Sequence, residues 1–281
     1  MRGTRPYLAT ALWLAASTAT AGSFEVSLFA GWTAPTYEQT FQWDPNINLP
    51  TFPGIDIRQQ GTFGLKARGG LAFGGSATFY FNDHIGIEGR IDTVDFKIDT
   101  VLPNFTATID LPAPLPPIGA ELDLSEGAVE VDRLFPFSLN LKARTAGQTR
   151  FVASGGLSYL PRLRATGSQT VGLGVTGLGS FPQLDIATIG LGVEAAPDEK
   201  DEGRLGFNVG AGIEIQLSEN LALVGDVRVY RFKTLTLQWT RLSAPTTDLE
   251  ELLLEELEQE LEPIEFEPTW FQAMGGIVVR F

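Results

Sequence analysis

Apolar and polar residues alternate with a period of two along most of this chain. Between about 62 and 81 the apolar residues, from Leu65 to Phe81, fall at odd positions and polar residues fall between them. Successive side chains of a β-strand point to opposite faces, so this pattern predicts strands with one apolar face. A break such as Asn82-Asp83 between two alternating segments predicts a tight hairpin turn.

The same alternation recurs along the chain and predicts eight strands. The alternating segments are 24–32, 62–81, 85–92, 137–144, 151–159, 205–217, 221–230 and 270–281. Three short turns, near 82–83, 146–148 and 218–220, alternate with four long connections, at about 37–61, 102–128, 167–203 and 241–268. Ten strands remain an alternative, because 170–179 and 184–193 are also sparsely charged. Eight strands place that stretch in a hairpin that protrudes from the sheet.

Composition and charge exclude several classes of protein. The 281 residues include 20 basic and 34 acidic side chains, so the net charge of −14 makes a nucleic acid partner unfavourable. The chain contains no cysteine and therefore has neither disulfides nor cysteine-ligated metals. A water-soluble secreted β-sandwich is an alternative that composition alone does not remove.

The first 21 residues have the pattern of a secretion signal. Arg2 and Arg5 precede a short apolar run at 7–16, and Ala19-Thr20-Ala21 fits a cleavage site between small residues. The run is too short for a membrane-spanning helix, which needs roughly 18 or more apolar residues. We therefore expect a signal peptide at 1–21 and a single exported domain at 22–281.

These features resemble the small outer-membrane β-barrel superfamily, which includes OmpA-type transmembrane domains, opacity-type adhesins and OmpW-type barrels. The resemblance rests on the signal peptide, the eight alternating strands, the long connections and the ending Val279-Arg280-Phe281. It implies an all-β fold, a transmembrane antiparallel β-barrel of eight strands with short periplasmic turns and long extracellular loops. The implied location is the bacterial outer membrane, in contact with its lipid and lipopolysaccharide.

The last residue has a special place in this resemblance. Phe281 shares the outward parity of Phe271, Ile277 and Val279, so we expect it to face lipid at the periplasmic rim. As the aromatic end of the closing strand, it is expected to serve as the assembly signal that the barrel assembly machinery requires.

Charged residues collect at the inward positions of the predicted strands. They are Glu25, Lys66, Arg68, Glu88, Arg90, Asp92, Lys142, Arg144, Glu214, Asp226, Arg228 and Arg280. Eight strands enclose a lumen just wide enough for side chains, and an unpaired charge there is costly. The pattern favours a lumen plugged by paired charges, and the alternative is a narrow polar path in which the pairs exchange.

Two functions follow from this arrangement. The first is a non-enzymatic barrel with a structural or surface-interaction role. The second is an OmpW-like narrow channel or transporter for small apolar solutes, whose marker is an apolar upper lumen. Val94, Phe96 and Ile98 share the inward parity and favour it. An enzyme is unfavourable because the one histidine, His84, lies beside a predicted periplasmic turn; no catalytic, cofactor-binding or metal-binding residue is predicted.

An acidic helix is predicted at 248–262, within the last long connection. Leucines recur at helical spacing among many glutamates, Thr247 or Asp248 provides a cap, and Pro263 ends the helix. Its simplest role is a lid packed on neighbouring loops. Clustered carboxylates at these acidic loops are also a candidate surface for a partner or for divalent cations.

Overall fold

The fold is built almost entirely from strands. The computed structural model describes residues 22–43, 46–48, 56–95, 97–101, 106–110, 118–124, 128–163, 165–175, 184–196, 202–242, 244–248, 250–251, 254–255 and 263–281. The strands are β1 (Ser23–Pro35), β2 (Glu38–Trp43), β3 (Asn46–Asn48), β4 (Asp56–Arg68), β5 (Gly70–Tyr80), β6 (Ile85–Val94), β7 (Lys97–Val101), β8 (Thr106–Asp110), β9 (Ile118–Leu124), β10 (Ala128–Val131), β11 (Phe137–Arg144), β12 (Thr149–Leu160), β13 (Ala165–Val175), β14 (Leu184–Ala195), β15 (Arg204–Gln216), β16 (Leu221–Phe232), β17 (Leu235–Arg241), β18 (Ile264–Phe266) and β19 (Thr269–Arg280). The predicted signal peptide at 1–21 lies outside the described residues.

Eight of these strands form a closed antiparallel barrel. Its order is β1, β19, β16, β15, β12, β11, β6 and β5, and β5 pairs again with β1. The first and last strands join in a register that sets Glu25 opposite Arg280 and Pro35 opposite Trp270. The predicted eight strands are confirmed. The ten-stranded alternative is wrong, because β13 and β14 pair with each other outside the barrel.

The outward face of the barrel is apolar. Its side chains are exposed, as at Leu157, which is 70 % accessible, whereas the alternate positions point inward and are buried. A water-soluble sandwich would bury its apolar face, so that alternative is wrong for this chain. We call the end with the three short turns the turn end and the opposite end the loop end.

Aromatic residues mark both rims of the outward face. At the turn end, Phe281 lies with its ring centroid 6.1 Å from that of Phe24, and its backbone N–H donates to the Phe24 carbonyl at 2.9 Å. Towards the loop end, six outward-facing rings form what we call the aromatic girdle. These are Trp32, Phe73, Phe137, Tyr159, Phe207 and Phe271.

The long connections form a second tier that continues the barrel. β4 pairs with β2, β3, β7 and β8. β7 pairs with β10, β8 pairs with β9, and both β9 and β10 pair with β13. From β13 the order continues through β14 and β17 to β18. Eight of its eleven strands precede or follow a barrel strand in the chain, and β3, β8 and β9 lie between other strands of the second tier. Within the described residues, the loops predicted from the sequence are therefore mostly hydrogen-bonded sheet.

The second tier has a seam between its first and last strands. Among the described strands, β2 pairs with β4 and β18 pairs with β17, and no ladder joins β2 to β18. The seam begins above a hydrogen bond from Thr36 N–H to the Thr269 carbonyl at 3.0 Å. The rings of Tyr37 and Phe266 pack edge to face across it, with centroids 4.8 Å apart. Burial raises the pKa of Tyr37 above its ordinary value, so its hydroxyl stays protonated and donates to Gln39.

The face of the sheet reverses where the two tiers meet at Gly69. Leu65 is buried in the second tier, whereas Leu71, at the same odd parity, is exposed on the barrel. Four steps separate Arg68 from Ala72, but only three separate their cross-strand partners Lys97 and Val94. Gly69 is therefore an extra residue, and one extra residue turns the alternation over.

The predicted acidic helix begins as expected. Residues 248, 250–251 and 254–255 are helical, and residues 256–262 lie outside the described part of the chain. The Thr247 hydroxyl accepts the N–H of Glu250 at 3.2 Å, and the Glu250 carboxylate accepts the N–H of Thr246 at 2.6 Å, a variant of the capping box. Leu254 is buried, which ties this turn to its surroundings.

No helix within the described ranges has both the length and the apolarity that a membrane-spanning helix requires.

The reversal at Gly69 predicts a selective effect of adding one methyl group. A Cβ there would lie 2.0 Å from the Thr33 carbonyl oxygen, whereas a Cβ at Gly89 meets nothing within 4 Å. We expect Gly69→Ala to cost about 1–3 kcal/mol through overpacking and Gly89→Ala to be near neutral. Urea unfolding of the refolded proteins in detergent measures both values, and equal stabilities would contradict the tight junction.

Candidate functional site

The lumen of the barrel holds most of the charged residues that the sequence singled out. Ten of the twelve point inward and are buried: Glu25, Glu88, Arg90, Asp92, Lys142, Arg144, Glu214, Asp226, Arg228 and Arg280. They come from six of the eight barrel strands, because closure brings every inward face to one axis. They form three clusters along that axis.

The first cluster lies at the turn end. Glu25 accepts a hydrogen bond from Arg280 Nε at 2.8 Å and also pairs with Arg144. Arg280 pairs in turn with Glu214. Arg144 Nε donates to the backbone carbonyl of Asp83 at 2.9 Å, which ties the cluster to the first short turn. The cluster thus joins the first and last strands of the barrel.

The second cluster surrounds Glu88 in the middle of the lumen. Its carboxylate lies 3.3 Å from Lys142 Nζ and 3.3 Å from a terminal nitrogen of Arg228. Asn140 donates to it at 2.9 Å. The Arg228 guanidinium also donates to Asn208 and, at 2.8 Å, to the Ser154 hydroxyl. Buried charges that are paired and hydrogen-bonded avoid most of the cost of desolvation.

The third cluster lies nearer the loop end. Arg90 Nε donates to both oxygens of Asp92, at 3.0 and 2.9 Å, and another Arg90 nitrogen lies 2.9 Å from Asp226. The Tyr230 hydroxyl donates to Asp92. The Arg90 guanidinium also lies over the ring of Phe29, 4.4 Å from its centroid, as a cation–π contact.

Uncharged polar residues complete the network, and the sequence reasoning missed them. Asn208 donates to Asn140 and to Ser158, both at 2.8 Å, and the Ser138 and Ser158 hydroxyls are 2.9 Å apart. Their inward parity was visible in the sequence. They were not predicted because the prediction considered only charged residues at inward positions.

Lys66 and Arg68 do not belong to the lumen, and the sequence prediction for them is wrong. Lys66 lies on β4 with its Nζ 3.5 Å from Glu38, and both side chains are exposed. The Arg68 side chain is 79 % exposed and pairs with Asp99 at 2.8 Å. The reversal at Gly69 turns these side chains outward, while Leu65 and its neighbours turn inward.

An apolar cluster closes the interior above the third charge cluster. The rings of Tyr230, Trp270 and Phe232 stack on one another with centroids 5.1–6.2 Å apart. These three rings and the buried apolar side chains of the loop end and the second tier form what we call the apolar cap. Its other members are Leu65, Val94, Ile98, Val131, Leu134, Leu160, Leu163, Val193, Ala195, Leu235, Leu237, Ile264 and Phe266. Val94 and Ile98 thus point inward, and Phe96 lies outside the described residues.

The remaining candidates for chemistry are placed apart from the lumen. The Nδ1–H of His84 donates to the Arg144 carbonyl at 3.1 Å, in a backbone contact at the turn end. Within the described part of the chain, no three His, Asp or Glu side chains are grouped to hold a metal ion. The acidic run at 256–262 is outside it, so cation binding there remains a prediction.

The comparisons with known proteins agree with the geometry. A model of the family described as outer membrane protein beta-barrel domain matches residues 8–250. No curated protein matches the chain.

Several solved structures are similar to the chain in fold. OprG from Pseudomonas aeruginosa is 11 % identical with a TM-score of 0.46, over 93 % of this chain and 96 % of that one. A major outer membrane protein from Thermus thermophilus is 13 % identical with a TM-score of 0.39, over 93 % and 100 %. Ail, the attachment invasion locus protein of Yersinia pestis, is 10 % identical with a TM-score of 0.32, over 93 % and 100 %.

The central position of Arg228 predicts a large loss of stability on its removal. Its side chain is 1 % exposed, and Arg228→Met would leave Glu88, Asp226 and Asn208 with fewer partners in a buried site. We expect a loss of about 3–5 kcal/mol in the free energy of unfolding. Arg68→Met is the matched control, because an exposed pair contributes about 1 kcal/mol or less. Urea titration in detergent measures the loss of stability in both variants. Equal losses would contradict the larger contribution expected of the buried Arg228.

Proposed function

The chain belongs to the outer membrane protein β-barrel family, and we propose that within it this protein is a non-enzymatic barrel with a structural or surface-interaction role, whose lumen is plugged by paired charges. Its place is the bacterial outer membrane. Short turns of such barrels face the periplasm and long loops face the exterior, so the turn end is periplasmic and the loop end extracellular.

The observation that carries the proposal is the two-part filling of the interior. Below, the three charge clusters join β1, β6, β11, β15, β16 and β19 through paired side chains. Above, the apolar cap packs over them with its side chains buried against each other. An ion that followed this axis would have to break buried pairs and then cross an apolar layer, and both steps are unfavourable.

The surface role rests on the second tier. In the described residues it carries the extracellular side of the protein on a hydrogen-bonded sheet, so the exposed side chains of that sheet project from an ordered backbone. The non-enzymatic assignment is supported by His84, the one histidine of the chain, whose ring is engaged with a backbone carbonyl at the periplasmic end.

The second candidate is a narrow channel or transporter for small apolar solutes. The observation that favours it is the apolar character of the upper interior, since Val94, Ile98 and their neighbours would not repel such a solute. The unpaired seam beside it borders a cavity of 410 Å³ lined by Tyr37, Gln39 and Glu265 among others.

A conductance measurement distinguishes a plugged lumen from a lumen that conducts ions. In planar bilayers we expect the wild-type barrel to add no steps of current, because the buried pairs block the axis. Arg90→Gln, inside the lumen, and Arg68→Gln, outside it, should behave alike. Steps of current in the wild-type that change with Arg90→Gln alone would overturn the plug, and faster uptake of a small apolar solute by barrel-containing vesicles would favour the second candidate.

The carboxy-terminal ring is proposed to serve assembly rather than ligand binding. Phe281 is 74 % exposed at the periplasmic rim, and its ring lies against that of Phe24 on the first strand. We expect deletion of Phe281 to reduce the amount of folded barrel in the outer membrane several-fold, as measured by heat-modifiable migration on gels. Phe137→Ala removes an outward-facing ring, 46 % exposed, at the opposite rim and serves as the control. Normal assembly of the deletion would contradict this role.

A further inference from the structure

The exposed basic side chains of this acidic protein are confined to its extracellular side. Among the Lys and Arg side chains that the structure describes, six lie inside the barrel and Arg150 is half-buried at the periplasmic end. All the others are exposed at the level of the aromatic girdle or on its extracellular side. These are Lys66, Arg68, Lys97, Arg133, Arg162, Arg231, Lys233 and Arg241.

Two of these cations lie beside lipid-facing side chains of the neighbouring strand. On neighbouring strands, Arg231 is the cross-strand partner of Phe207, and the N–H of Lys233 donates to the Leu205 carbonyl at 3.1 Å. All four side chains point outward. Phe207 belongs to the aromatic girdle, so the two cations stand at the level where lipid acyl chains give way to headgroups.

These residues line a groove of 300 Å³ on the outside of the barrel. Leu205 and Phe207, 69 % and 51 % exposed, form its apolar floor, and Arg231, Lys233 and Thr234 form its polar side. We call this the rim groove. Its apolar floor suits a hydrocarbon chain, and its basic side suits an anion.

Glu267 also borders the rim groove and pairs with Arg231. A guanidinium carries five N–H donors, so this pairing leaves donors for a second anion. It also fixes the guanidinium in place. A planar guanidinium binds phosphate in a bidentate manner, and a lysine ammonium adds a point charge.

We propose that the rim groove binds a phosphate group of an outer-leaflet lipopolysaccharide, with one acyl chain of its lipid A lying along Leu205 and Phe207. The outer leaflet presents phosphorylated glycolipid to this rim at high density, and the groove offers it basic side chains beside an apolar surface. The inference rests on the membrane location and not on whether the lumen conducts, so it stands or falls separately from the proposed plug.

Binding of purified lipid A to the full barrel in an uncharged detergent tests the proposal, with native mass spectrometry counting bound lipids. The double variant Arg231→Gln/Lys233→Gln should lower the affinity for bis-phosphorylated lipid A by about tenfold or more. Lys66→Gln, an exposed cation that pairs with Glu38 on β4, is the matched control and should change it less than about twofold. Arg231→Lys, which keeps the charge but loses the bidentate donors, should lower the affinity by an intermediate amount.

A second measurement needs no variant. Dephosphorylated lipid A should bind the wild-type barrel about tenfold more weakly than the phosphorylated form, and millimolar inorganic phosphate should not displace the lipid. Heat-modifiable migration verifies that each variant is folded. Equal binding by the double variant, equal binding of dephosphorylated lipid A, or full displacement by inorganic phosphate would each overturn the assignment.

Discussion

The pairing of β1 with β19 is the interaction on which the rest of the structure depends. A sheet in a bilayer has no water to satisfy its edge groups, so its backbone hydrogen bonds must close on themselves. The register that sets Glu25 opposite Arg280 completes this closure. It also brings the first and last strands close enough for their inward charges to pair, so that backbone and lumen are joined by the same contact. The order of the second-tier strands that adjoin the barrel then follows the order of the barrel strands below them.

The interior changes along its axis from charged side chains at the periplasmic end to apolar side chains at the extracellular end. Near the periplasm, charges from several strands neutralise one another. Tyr230 marks the transition, because its hydroxyl reaches Asp92 below while its ring stacks with Trp270. Above it, apolar side chains of the second tier pack as in a soluble protein. An amphipathic aromatic residue therefore joins two interiors that would otherwise exclude each other.

Much of the barrel could be predicted from the alternation of residues, because a strand that faces lipid on one side and a lumen on the other has only two environments. Counting odd and even positions along each alternating segment predicts the eight strands. It also predicts the inward positions of Glu88, Arg228 and eight other charged residues. Counting failed at Lys66 and Arg68, because an extra residue at Gly69 leaves no mark in the alternation itself. The second tier was also missed as sheet, since its strands at 106–110 and 118–124 lie between proline-rich segments that are typical of loops.

Because of the extra residue at Gly69, the alternation of inward and outward side chains on β5 does not depend on the alternation on β4. In an uninterrupted strand, a gain or loss of one residue would carry every later side chain to the other face. Here the ladder is already broken between β4 and β5, where the chain departs from strict alternation without disturbing Ala72 or Tyr80 further down. A change of one residue in the length of β4 can therefore be accommodated at this joint without reaching the lumen. On this strand the outer surface is free to diversify in length while the charged core below keeps its register.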